Sequence, residues 1–251
     1  MGVSLESWLK NLEDKITTEI QERRSYDSYF FRTFYDADPF YIWKHDLEPE
    51  TITRRGATIT RIPSPKIDLV TPKIINLEYS GNWKSLFEEQ RIVHINPICK
   101  EAILKEQAAV VETLMKDIKE VKVESADFIE IRRAQEIIES HDKFADILLI
   151  HPITLTLLLK TTNFRHKSML HPYFVESQGK DYVGELGTLS VFWTFGLPKN
   201  VGLMYNKGSA YLRIHPLDIG FDSYVEPKVL RIFEELYAWF DKEDVGVKVL
   251  F

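Results

Sequence analysis

The sequence has one cysteine in 251 residues, Cys99, so it can close no internal disulfide and build no four-cysteine zinc site. Its uninterrupted apolar runs, such as Ile147–Ile150, fall far short of the about 20 residues that span a bilayer. The N-terminus also lacks a basic region followed by an apolar stretch. A basic excess is missing too: 32 Lys and Arg stand against 38 Asp and Glu, a net charge of -6, which argues against a protein whose main task is to coat nucleic acid. These absences describe a soluble chain in a cytosolic setting, with no visible export signal and no membrane partner.

With 44% hydrophobic and 12% aromatic residues, the chain can build a core as one large domain or two small ones. Leu5, Trp8, Leu9, Leu12, Ile16 and Ile20 share one helical face, with Glu6 in the first turn and Arg23 and Arg24 in the last, as the helix dipole favours. The polar face is mixed in sign, which suits packing on protein better than a membrane surface. Ser25 to Trp43 is crowded with rings, among them Tyr26, Phe30, Phe31, Phe34 and Tyr35. They form either a core segment of this chain or an arm docked on a neighbouring subunit. Residues 51 to 80 alternate in β fashion and are punctuated by Pro63, Pro65 and Pro72. That pattern fits a long hairpin or extended loop carrying Arg54, Arg55 and Arg61, poor in large hydrophobes and suited to lie across another subunit.

Asn96-Pro97 opens a helix, with Asn able to cap and Pro suited to the first position, and the periodicity of Cys99, Ile103, Val110, Leu114 and Ile118 carries it to about Glu120. A second helix follows near Ser125 with Phe128, Ile131, Ala134 and Ile138 facing inward. A buried strand then runs from Asp146 to Ile150, and Thr154 to Lys160 reads as a further helix. Beyond Tyr182 come short β segments at Leu189 to Phe195, Gly202 to Tyr205, Ala210 to Ile214 and Val245 to Phe251. The fold class is α+β.

Catalytic patterns are weak. His151, His166 and His171 lack metal-ligand spacing, so no metal is expected. Gly184-Glu185-Leu186-Gly187 lacks the third glycine and the following helix of a dinucleotide loop, so no cofactor is expected and the glycines serve turns. Cys99 lies on an apolar stripe as a structural thiol, Ser190 and Ser209 lack a nucleophile elbow, and Glu234 and Glu235 point apart. The chain is not expected to be an enzyme.

The stretch His141-Asp-Lys-Phe-Ala-Asp-Ile-Leu-Leu-Ile-His-Pro, followed by Leu155 to Lys160, resembles the helix, strand and "HP plus helix" element in the A-domain of encapsulins and tailed-phage major capsid proteins. The passage from Gly187-Thr-Leu-Ser-Val to Phe195-Gly-Leu-Pro-Lys-Asn-Val-Gly-Leu-Met-Tyr is similar to that family's strand, proline turn and second strand. The tail, Leu217-Asp-Ile-Gly-Phe-Asp and Val229 to Phe251, resembles its closing strands. The likeness covers about residues 120 to 251. It implies the Hong Kong 97-like capsid fold: an N-terminal helix and aromatic arm at 1–50, an extended loop at 51–96, a spine helix at 97–120, an A-domain at 121–220 and closing strands of the peripheral domain at 221–251. Over Val229 to Phe240 periodicity favours a helix, because Glu234 breaks the strand face, whereas the resemblance implies a strand.

The function expected from these readings is a shell subunit that self-assembles into an icosahedral container. The container is either a viral or provirus-derived capsid, located in the virion, or an encapsulin-like nanocompartment in the cytoplasm. Its partners are further copies of the chain, with cargo protein or viral DNA inside. An apolar groove beside the N-terminal helix would favour protein cargo, and a lumenal face rich in Lys and Arg would favour nucleic acid. Phe30, Phe31, Phe34, Tyr35, Arg54, Arg55 and Arg61 are the inter-subunit candidates; the resemblance places His166, Lys167 and His171 at a pore rim. The alternative is a small soluble α+β enzyme or ligand-binding domain.

Overall fold

The computed structural model describes residues 4–30, 32–34, 41–44, 50–54, 57–61, 66–69, 72–89, 93–116, 118–124, 128–139, 144–221, 229–241 and 245–251. Helix α1 (Leu5–Arg23) starts where the Ser4 hydroxyl accepts a bond from the Ser7 amide, and it buries Leu9, Leu12, Ile16 and Ile20. Strand β1 (Arg32–Phe34) follows. Two two-stranded ladders then form outside the two large sheets: β2 (Tyr41–Lys44) pairs with β5 (Lys66–Leu69), and β3 (Glu50–Arg54) pairs with β4 (Ala57–Arg61). The expected hairpin or loop at 51–80 thus includes one hairpin, 50–61, while residues 73–80 pair in a large sheet.

Strand β6 (Lys73–Ser80) leads to α2 (Trp83–Glu88), capped by Asn82, and to the long helix α3 (Asn96–Leu114). Pro97 sits in the first turn of α3 as expected, but Ile95 is the N-cap, and the Asn96 side chain instead accepts a hydrogen bond from Arg23 at 2.7 Å. The helix ends at Leu114, short of the expected Glu120. Residues 119–122 form β7 (Lys119–Lys122), which pairs in parallel with the last strand, so a partner distant in sequence overrides the local helical spacing.

Helix α4 (Phe128–Glu139) buries Ile131, Ala134 and Ile138, and β8 (Ile147–Ile150) is buried along its whole length. Next come α5 (Leu155–Leu158), β9 (Phe164–His166), α6 (Pro172–Gln178), β10 (Tyr182–Leu186), β11 (Leu189–Trp193) and β12 (Val201–Tyr205). The two-residue turn between β10 and β11 contains Gly187 at φ 63°, where the ring of Phe128 leaves no room for a Cβ. The chain ends with β13 (Ala210–Ile214), β14 (Asp218–Phe221), β15 (Val229–Phe240) and β16 (Gly246–Leu250).

Among the described residues, five strands form one sheet. The long β15 carries β13 and β14 in succession on one edge and β6 on the other, and β1 lies outside β13. Seven strands form the second sheet in the order β7-β16-β12-β8-β11-β10-β9. The segment expected as 221–251 therefore divides between the two sheets, β15 in the first and β16 in the second.

Val229–Phe240 is a strand, against its helical periodicity. Leu230, Ile232, Glu234, Leu236 and Ala238 all turn to the buried side, so Glu234 occupies an inward position instead of breaking the face. Three apolar clusters hold the layers together. One lies where α3 meets both sheets and includes Tyr26, Tyr29 and Phe30; one packs α4 on the seven-stranded sheet; one seats α1, α2 and α3 against β15. Among the described residues no helix is long and apolar enough to cross a membrane.

Candidate functional site

The N-terminal helix packs on the rest of the same chain, and the segment after it is fastened to both sheets. Lys180 Nζ donates to the Glu22 carbonyl at 2.8 Å, and Lys207 Nζ donates to the Ser28 carbonyl at 2.7 Å. The Ser25 hydroxyl bonds to Asp181, which also accepts from the indole of Trp193 at 3.2 Å. Gly179, at φ 91°, lets Ser28 approach so closely that a Cβ would lie 2.0 Å from its Oγ.

On the other side of this segment, Arg24 bridges Glu106 of α3 and Glu234 of β15. Its Nε lies 3.2 Å from Glu106 Oε1, and one Nη contacts Glu234 directly. The three side chains are 5%, 1% and 2% exposed. Burial, and then the Glu106 charge, push the Glu234 carboxyl up to about 9, against the lowering pull of Arg24. Sequence reading passed over this cluster although two signals marked it: Glu106 lies on the apolar stripe of α3, and Glu234 interrupts an otherwise apolar strand face.

The residues nominated from sequence fall in different places. Phe30 is 1% exposed, with its ring 5.5 Å from that of Tyr29, inside the core of its own subunit. It is therefore not available to a neighbour, and its nomination as an inter-subunit contact is corrected: the rings of Tyr26 and Tyr29 in the chain itself cover it. Phe31, Tyr35 and Arg55 lie outside the described residues. Phe34 lies in β1, in register with Arg213 of β13, and Arg54 and Arg61 lie in the β3–β4 hairpin.

His166 ends β9, Lys167 follows it, and His171 precedes α6. His166 Nδ1 lies 2.9 Å from the Ser168 hydroxyl, Lys167 Nζ sits 5.9 Å from the Trp193 ring centroid, and His171 stacks on Tyr173 at 5.5 Å. Among them Met169 and Tyr173 are 73% and 79% exposed. Among the described residues no three His, Cys, Asp or Glu are grouped to hold a metal ion.

Two clefts border α1. One, of about 420 Å³, is lined by Gln21, Arg24, Asp27, His215 and Pro216. The other, of about 410 Å³, is lined by Asp14, Lys15, Thr18, Glu19 and Ile95.

Two sheets packed about a long helix, with two further two-stranded ladders, form a mixed α and β fold that matches Hong Kong 97-like capsid folds among solved structures. No protein-family model and no curated protein matches the sequence. Among solved structures, the chain is similar to the virus-like particle of Pyrococcus furiosus, with a TM-score of 0.62 and 12% identity over 96% of this chain and 99% of that one. It is also similar to a chain of Mycobacterium phage Ogopogo at 0.59, with 9% identity over 90% and 91% of the two chains. The holo-SrpI encapsulin complex of Synechococcus elongatus matches at 0.56, with 9% identity over 94% and 88%.

Proposed function

We propose that this chain is a shell subunit, structural and without catalytic activity, that assembles with copies of itself into a closed icosahedral container, a virion capsid or an encapsulin-like nanocompartment. The single observation behind this reading is the end-to-end match of the fold: almost the whole of this chain aligns with almost the whole of a subunit from a virus-like particle. In this reading α3 serves as the spine helix, the β2–β5 hairpins as the extended loop, and the seven-stranded sheet as the A-domain. Closed symmetry then satisfies several modest contacts at once, which makes the shell collectively strong.

Phe31, Phe34, Tyr35, Arg54, Arg55 and Arg61 are proposed as contacts between subunits. His166, Lys167 and His171 are proposed as groups at the rim of a symmetry axis. The exposure of Met169 and Tyr173 supports this, because large apolar side chains left open on one subunit are suited to cover by another. Electron micrographs of the purified full chain test the assignment: uniform hollow particles are expected, and a field without particles at high protein concentration contradicts it.

A further inference from the structure

We infer that Arg24, Glu106 and Glu234 form a protonation-dependent latch that holds the N-terminal segment on the body of the subunit. The geometry carries this. One guanidinium faces two carboxylates, all three side chains are at least 95% buried, and they come from the end of α1, from α3 and from β15. A guanidinium neutralises one carboxylate, so the cluster reaches neutrality only with one proton on the carboxylate pair. When the segment lifts away, water reaches both acids and that proton leaves.

Among the described residues, the surrounding groups do not replace the proton. Tyr26, beside Arg24, is held neutral by burial, which pushes its hydroxyl well up. The inward neighbours of Glu234 along β15 are Ile232 and Leu236. Asp27 and His215 line the cleft beside Arg24, and His215 is turned to Glu235, 3.6 Å away on the opposite face of β15. The cleft gives water a route to the guanidinium.

The direction of the pH effect follows. Closed, the Glu234 carboxyl is raised from 4.5 to about 9, so in that interval the closed state binds a proton that the open state lacks. Its contribution to closure is whole below about 4.5, is lost progressively as pH rises through about 9, and then levels off. The latch tightens in acid and loosens in base.

Hydrogen exchange of the full-length protein between pH 5 and about 9.5, corrected for intrinsic exchange, reads the opening of α1 directly. Relative to the Glu234→Gln variant, the wild-type opening constant is expected to climb by up to about tenfold per pH unit across this window. Glu106→Gln leaves the same balance of one cation and one carboxylate, so it is expected to flatten the profile equally and serves if Glu234→Gln does not fold. A wild-type profile parallel to those of the Gln variants, or flat, overturns the latch. The readout lies within one subunit, so it is decided separately from whether particles form.

Discussion

The hydroxyl of Tyr205, in β12 of the seven-stranded sheet, donates to the main-chain carbonyl of Tyr29 at 2.9 Å, with both residues buried. This bond ties the middle of that sheet to the segment that leaves the N-terminal helix. Tyr205→Phe keeps the ring and removes this hydrogen bond, at an expected cost of about 0.5–1.5 kcal/mol. Thermal unfolding should show the loss, at about 2–4 °C per kcal/mol for a chain of this size.

Arg24 is expected to be harder to replace. Arg24→Met removes the guanidinium that bridges Glu106 and Glu234 and leaves buried carboxylate behind, a loss of about 3–5 kcal/mol. Arg24→Lys should recover only part of it, because a single ammonium cannot reproduce a fork that reaches two acids. Urea midpoints of the two variants rank them; equal stability of wild type and Arg24→Met would contradict the role assigned to the cluster.

Gly196 tests the seating of the 195–197 loop on the long helix. A Cβ there would lie 2.3 Å from the Gln107 carbonyl oxygen and 2.4 Å from its carbon, and the Phe195 amide donates to the Gln107 side chain at 3.2 Å. Gly196→Ala must push loop and helix apart, and a destabilisation of about 1–3 kcal/mol is expected in urea titration.

Cys99 is buried against α1, and burial raises its thiol above the ordinary value. The native protein should resist a thiol-labelling reagent and react fully once urea unfolds it. Fast labelling under native conditions would show that α1 does not cover this site.

How far the sequence foretold the structure depended on where each element finds its partner. Elements with a local apolar period were readable: Leu9, Leu12, Ile16 and Ile20 are the buried face of α1, and Ile131, Ala134 and Ile138 that of α4. Elements defined by distant pairing were not. Residues 119–122 look like the end of a helix until Gly246–Leu250 supplies a strand beside them. Glu234 looks like a break in a strand until Arg24, 210 residues earlier in the chain, answers its charge. The aromatic run was ambiguous for the same reason: Tyr26, Tyr29 and Phe30 enter the chain's own core, and no local pattern distinguishes them from the rings that follow.

Light scattering on the size-exclusion peak of the full-length protein measures molar mass without reference to shape, and it bears most directly on the proposed shell. A narrow species of megadalton mass is the predicted result. A monomer or dimer that persists at high concentration would contradict it.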